Sequence, residues 1–228
     1  RSVVVRAAAG RQSEDVALYE ESVDSLRTCL LLSDGVKDAK TFVITSAANN
    51  EGKTSVSVQL AASIARASGH ATLLVDADMR APDIHRLLGV EKSPGLADVL
   101  AQQATLDEAI NTNWSSSVHV LAAGRRGVSP YSLLGNGNLE PLLRELAERY
   151  AYVVIDTPPV LACAESMILA KAADVTLICA RRDVSRMDQV HKATERLGVT
   201  GARLAGLVLV GVPSRIYSYR YGRYRFQE

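Results

Sequence analysis

Apolar residues recur in two patterns along this chain. Short runs of β-branched and aliphatic residues fall at 41–46, 71–76, 118–122, 152–156, 174–180 and 204–210. Their continuity predicts strands buried on both faces. Between them lie stretches with apolar positions at helical spacing: 13–33, 55–67, 139–150, 164–172 and 186–197. The first places Val16, Leu18, Tyr19, Val23, Leu26 and Leu30 along one helix, and Ser33-Asp-Gly35 ends it. Pro82, Gly89 and Ser93-Pro-Gly95 divide 79–117 into short helical pieces, among them 96–103 and 106–111, and 124–132 reads as a loop. Strands alternating with helices predict an α/β fold, a doubly wound, largely parallel sheet flanked by helices. No internal repeat is present. The polar, irregular residues 1–14 read as a linker or mobile arm, 15–212 as the domain, and 213–228 as a flexible C-terminal tail.

Composition narrows the class. The 228 residues suit one α/β domain with a tail, and 47% apolar content with only two Phe and one Trp points to an aliphatic core. A net charge of +1 argues against a general nucleic-acid surface. The charge is uneven: residues 215–228 hold four Arg against Glu228, a net of +3, which leaves −2 for residues 1–214. Cys29, Cys163 and Cys179 are odd in number and lack metal-ligand spacing. Cys179 falls inside an apolar run as a small core hydrophobe, so reduced thiols in a cytosolic compartment are expected. No run approaches the roughly 20 apolar residues that cross a bilayer, and no signal peptide opens the chain. A start at Arg1 rather than Met suggests a fragment of a longer protein.

The chemistry concentrates at three strand ends. Ala47-Ala-Asn-Asn-Glu-Gly-Lys53-Thr54 lies between the first strand and a helix, the setting of a phosphate-binding loop. The backbone N–H groups of Ala48, Asn49, Asn50, Glu51, Gly52, Lys53, Thr54 and Ser55 can wrap a polyphosphate at the helix N-terminus. Lys53 supplies a point charge for the β- and γ-phosphates, and Thr54 a hydroxyl for Mg²⁺. Two further strands end in carboxylates: Asp76 with Asp78, and Asp156 before Thr-Pro-Pro159. Open α/β sheets bind ligands at such ends. Singly, each Asp is a turn residue or cap, and the loop a polar turn; together they predict one Mg-nucleotide site.

The last twelve residues hold Tyr217, Tyr219, Tyr221 and Tyr224, half of the chain's eight tyrosines, interleaved with Arg and Gly222. An exposed tail, an edge strand and a short single-stranded nucleic-acid contact all fit that pattern, the first of them best. From Pro213 these tyrosines lie 4–11 residues away, within at most about 13–40 Å of extended chain.

These pieces together resemble the bacterial tyrosine kinases, over roughly residues 15–228. In that family's terms Ala47–Thr54 is Walker A, Leu74–Asp78 with Met79-Arg80 is Walker A′, Val153–Pro159 is Walker B, and the tyrosine cluster is the acceptor. The resemblance implies a P-loop NTPase fold, ATP and Mg²⁺ as cofactors, and transfer of the γ-phosphoryl group to the chain's own tyrosines in trans. It further implies control of capsular or exopolysaccharide synthesis or export. The implied partners are a homo-oligomeric ring, a membrane-spanning polysaccharide chain-length regulator, protein tyrosine substrates and a cognate phosphatase. The implied location is the inner face of the cell membrane, through a missing N-terminal region or a partner. Partitioning and septum-site ATPases share the separate motifs but add a lysine where this chain has Ala48. Three positions depart from the family. Asn49-Asn50 replaces Pro-Gly. Asp24 takes the middle position of a Glu-x-x-Arg-x-x-Arg ring motif, which leaves Glu21 and Arg27 to pair between subunits. Val210 stands where relatives place an Asn near the base.

The implied roles are Lys53 on phosphate, Thr54 as a direct metal ligand, and Asp156 on metal through water. Asp76 is the base or metal-adjacent acceptor and Asp78 orients metal-bound water, two roles open to exchange. Arg80 either neutralises phosphate or pairs with an acid. Two other readings stand beside the kinase: a partitioning-type ATPase, and a catalytically silent ATP-binding regulator of a polysaccharide exporter.

Overall fold

The structure, a computed structural model, describes residues 12–125, 127 and 129–213. In chain order the elements are α1 (Gln12–Leu32), β1 (Thr41–Ser46), α2 (Lys53–Ser68), β2 (Thr72–Asp76), α3 (Ile84–Leu88), α4 (Leu96–Leu100), α5 (Leu106–Ala109) and β3 (Ile110–Asn111). There follow β4 (Val118–Leu121), α6 (Pro130–Gly135), α7 (Leu139–Arg149), β5 (Tyr152–Asp156), α8 (Glu165–Ala172), β6 (Val175–Arg181), α9 (Met187–Val199) and β7 (Leu204–Val210).

The strands form one sheet in the order β3-β4-β2-β5-β1-β6-β7. Every pairing is parallel except β3 against β4. Alternate side chains of each central strand enter different cores. Phe42, Ile44, Leu74, Val154, Leu177 and Cys179 pack with Val23 and Leu30 of α1 and with Leu60 and Ile64 of α2. Val43, Leu73, Val75, Val153, Ile155 and Ile178 pack with Leu142, Leu146, Leu169 and Leu197 of the opposite helices. Helices on both faces explain why these strands read as continuous apolar runs rather than alternating ones. α7 shows the complementary pattern: Leu139, Leu142, Leu143 and Leu146 are buried as one stripe.

Parallel strands bring their C-termini to one edge. β1, which feeds the phosphate loop, is flanked by β5, and β5 by β2. The register pairs Asp76 with Asp156 across neighbouring strands. The edge that carries the predicted chemistry therefore follows from sheet order alone.

Local departures from the pattern have local causes. The 96–103 helix stops at Leu100, with Gln102 left-handed at φ 58. Residues 106–111 are not wholly helical. A capping box between Thr105 and Glu108 starts α5, but Ile110 turns extended and pairs with Leu121 as a short edge strand. The 124–132 loop ends early, because Pro130 opens α6 at its first turn. α1 begins at Gln12, inside the stretch expected to be a mobile arm. Lys53 and Thr54 already belong to α2. At the other margin β7 is the sheet's edge, so Leu207 and Leu209 remain 49% and 57% exposed despite their apolar run.

Candidate active site

The loop after β1 is shaped by two left-handed residues, Asn50 at φ 63 and Gly52 at φ 88. Asn is among the residues that tolerate this conformation without glycine's freedom. At Gly52 a Cβ would also lie 3.0 Å from Val210 Cγ1, so the turn requires glycine on both counts. α2 then starts at Lys53 without a side-chain cap. Its first N–H groups therefore face the loop with no intrahelical acceptor, and the helix end adds partial positive charge. Ser46 Oγ donates to the Ala48 carbonyl at 2.7 Å, fixing the loop's entry. The Ala48 N–H is not free for a ligand: it donates to Glu51 Oε2 at 2.7 Å. Glu51 is itself buried, 1% exposed. Of the eight loop residues singled out in the sequence, Ala48 and Glu51 thus contact each other, whereas Lys53 faces the carboxylates.

Lys53 Nζ stands 3.5 Å from Asp78 Oδ2. Asp78 also accepts from the Ala81 N–H at 2.9 Å, which holds the chain after β2 in a turn. Asp76 is fully buried and accepts backbone N–H groups from Asp78 at 3.2 Å and Ile84 at 3.1 Å. Burial first, and then the charge of Asp156, pushes the Asp76 carboxyl up to about 8. Asp156 accepts from Ser57 Oγ at 3.0 Å. Burial raises it to about 6, against the opposing pull of Lys53 and of hydroxyl hydrogen bonds from Thr54 and Ser57. Three carboxylates and one ammonium thus share one dry edge. A divalent cation placed there would favour the charged forms that burial disfavours. Among the described residues no group of three or more His, Cys, Asp or Glu side chains is placed to hold a metal ion by itself.

Neighbouring side chains that sequence reasoning passed over support this edge. Ser57 lies one helical turn after Lys53, and that spacing was the available signal. Glu165, at the start of α8, is buried and accepts from Arg80 Nε at 3.0 Å and Arg80 Nη2 at 2.5 Å. Arg80 therefore pairs with an acid, the second of its two expected roles. No spacing in the sequence pointed to Glu165. Ser185, in the turn after β6, donates to Glu51 Oε1.

A family model described as an AAA domain matches residues 39–197. The tyrosine-protein kinase YwqD of Bacillus subtilis is 30% identical over 212 residues, which are 93% of this chain and 89% of that protein. The kinase domain of the Escherichia coli tyrosine kinase ETK superposes with a TM-score of 0.81 at 31% identity, covering 86% of this chain and 76% of that one. The chain belongs to the bacterial tyrosine kinases. EpsB of Ralstonia nicotianae, 33% identical over 210 residues, is much longer: the match is 90% of this chain but 28% of that protein.

As a bacterial tyrosine-kinase domain, the chain resolves two of its own departures. Asn50 adopts a left-handed conformation that Asn tolerates, so the loop turns there without a glycine. At the ring motif, Arg27 is engaged within the chain. It donates to Asp24 Oδ1 and to Ser63 Oγ, each at 3.1 Å. Arg66 of α2 reaches the same Asp24 oxygen at 2.8 Å. Asp24 thus ties α1 to α2, and Arg27 is held within the chain by Asp24 and Ser63. The four tyrosines expected as acceptors, Tyr217, Tyr219, Tyr221 and Tyr224, lie outside the described residues.

Proposed function

We propose that this domain transfers the γ-phosphoryl group of ATP to tyrosine hydroxyls, its own Tyr217, Tyr219, Tyr221 and Tyr224 among them, in trans. The observation that carries the reading is the convergence of Lys53, Asp78, Asp76 and Asp156 on one sheet edge beside a left-handed phosphate loop. ATP would lie along the 49–54 loop, with Lys53 on its outer phosphates. Mg²⁺ would be held by Thr54, with Asp156 acting through water. When bound, the cation neutralises charge that develops on the phosphoryl oxygens.

The chain's own residues do the rest. Lys53 stabilises negative charge at the phosphates, and its partner Asp78 aims its ammonium. A tyrosine hydroxyl of pKa about 10 must lose its proton as it attacks. Asp76, fully buried at the strand end, would accept that proton in its ionised form, and Asp78, paired with Lys53, would be the aligner. Dry walls around the edge strengthen each of these interactions.

Residues 15–212 form the catalytic unit in this reading, and 213–228 the acceptor. Four phosphates of about −1.5 to −2 each would turn the tail from +3 to roughly −3 to −5. That reversal would expel it from an acidic edge. Among the described residues no helix is long and apolar enough to cross a membrane. We place the domain in the cytoplasm, tethered at the membrane by a preceding segment or a membrane-spanning partner of the polysaccharide chain-length regulator kind. Through that partner it regulates polysaccharide export, and a phosphatase resets the tail.

The test is incubation with ATP·Mg²⁺ followed by phosphotyrosine mapping by mass spectrometry. Wild type is expected to gain phosphate on the tail. The variant with all four tail tyrosines changed to Phe is expected to lose that signal while keeping nucleotide affinity. Nucleotide hydrolysis without phosphotyrosine would indicate the partitioning-type ATPase; binding with neither would indicate a silent regulator.

A further inference from the structure

We propose that the Glu51 side chain is a positioning group rather than a phosphate ligand: with Ser185 it forms a strut that sets the phosphate loop in its binding shape before nucleotide arrives. This rests on the nucleotide-binding part of the reading above and not on tyrosine transfer.

The two oxygens of Glu51 face in different directions. Oε2 takes the N–H of Ala48, three residues earlier, and so closes the loop on itself at 2.7 Å. Oε1 takes the hydroxyl of Ser185, 134 residues away in the turn between β6 and α9. That hydroxyl is fixed in its turn by the Arg181 N–H, which donates to Ser185 Oγ at 2.7 Å. Arg181 also spans back to the loop, its Nη1 donating to the Asn50 carbonyl at 3.4 Å. Two connections therefore run from the end of β6 to adjacent loop residues, Asn50 and Glu51. The same turn is bound to the end of β7, where the Arg182 N–H donates to the Val210 carbonyl at 2.9 Å. Val210 in turn packs against Gly52.

Partners, not burial, separate this carboxylate from the site's other acids. Glu51 is 1% exposed, as buried as Asp76 and Asp156, but it is satisfied by Ala48 and Ser185. Lys53, the loop's cation, pairs with Asp78 instead. A carboxylate aimed at phosphate would oppose the ligand's charge; one held by the Ala48 N–H and the Ser185 hydroxyl opposes it less. A loop that turns through left-handed residues at Asn50 and Gly52 gains from such an anchor, because without it each binding event would include the ordering of the loop.

The experiment follows the Ala48 amide by NMR hydrogen exchange in nucleotide-free protein, and Mg·ADP affinity by titration of a fluorescent ADP analogue. Glu51→Ala is expected to speed Ala48 exchange and to weaken Mg·ADP, each by about tenfold or more, as preorganisation is lost. Glu51→Gln keeps an acceptor for Ala48 and is expected to stay within about threefold of wild type. Ser185→Ala lies in a surface turn, so it keeps the question open should Glu51→Ala fail to fold; it is expected to shift both readouts the same way by about threefold. Unchanged Ala48 exchange in Ser185→Ala, or Mg·ADP affinity within about twofold of wild type in Glu51→Ala, overturns the strut. If wild type bound Mg·ADP with this pattern yet made no phosphotyrosine, the kinase reading would fail and the strut would stand.

Discussion

Lys53→Met is expected to reduce tyrosine phosphorylation by roughly 10²–10³-fold or more, the usual consequence of losing one preorganised charge at a developing anion. The geometry gives two reasons. Lys53 is the cation of the phosphate loop, placed by the first turn of α2, and its ammonium is 3.5 Å from Asp78. Met removes the charge that faces the phosphates. It also leaves Asp78, 4% exposed, with the Ala81 N–H but no counter-ion. A loss of about 1–3 kcal/mol in ligand-free stability accompanies such an orphaned group. Initial rates of phosphotyrosine formation by intact-protein mass spectrometry, read beside a urea titration, separate the two effects. Lys53→Arg is not expected to rescue, because a planar fork does not replace a point charge in this turn.

Asp76→Asn is expected to have opposite effects on activity and on pH-dependent stability. Transfer should fall by about 10²–10⁴-fold if the carboxylate accepts the tyrosine proton. Stability follows from the direction of the shift. The folded-state pKa of about 8 lies above the ordinary 3.8. The stability contributed by its proton is therefore fully present below about pH 3.8 and is lost as pH rises through 8. Asp156, raised to about 6, completes the same loss earlier. Asp24, Glu108 and Asp174 are held below their ordinary values and respond only in acid, so they are silent between pH 6 and 8. Ligand-free wild type should unfold at lower urea at pH 8 than at pH 6, with a ceiling of about 1.4 kcal/mol per pH unit for one proton. Asn carries no such charge, so the variant's midpoint should stay nearly level across that window. A variant as pH-sensitive as wild type would place the raised pKa elsewhere.

The fold was largely legible because its signal is redundant. Strands flanked by helices on both faces are continuous apolar runs, and six of them sit within a residue or so of their expected places. What the pattern missed was context. β3 is two residues long and exists only because Leu121 and Val120 offer an edge to Ile110 and Asn111. β7 has the same apolar composition as the buried strands, yet its position at the sheet margin leaves it exposed. At the site, residues carried by a local motif were readable: Lys53, Asp76, Asp78 and Asp156 converge as their strand-end positions implied. Side chains brought from elsewhere were not. Glu165 pairs with Arg80 across 85 residues and Ser185 meets Glu51 across 134; no spacing records such contacts. The expected phosphate contact of Glu51 is through its backbone N–H; the partners of its side chain, Ala48 and Ser185, are what the sequence does not show. Nor does any spacing record that Ser63 of α2 holds Arg27.

Whether the three acidic strand tips and Lys53 serve one magnesium–triphosphate is tested most directly by electron paramagnetic resonance with Mn²⁺ in place of Mg²⁺ and a non-hydrolysable ATP analogue. The expected result is one tightly bound Mn²⁺ per chain, with hyperfine coupling to nucleotide phosphorus, lost in both Thr54→Ala and Asp156→Asn. Mn²⁺ bound without phosphorus coupling, or bound equally well in those two variants, would contradict a shared site.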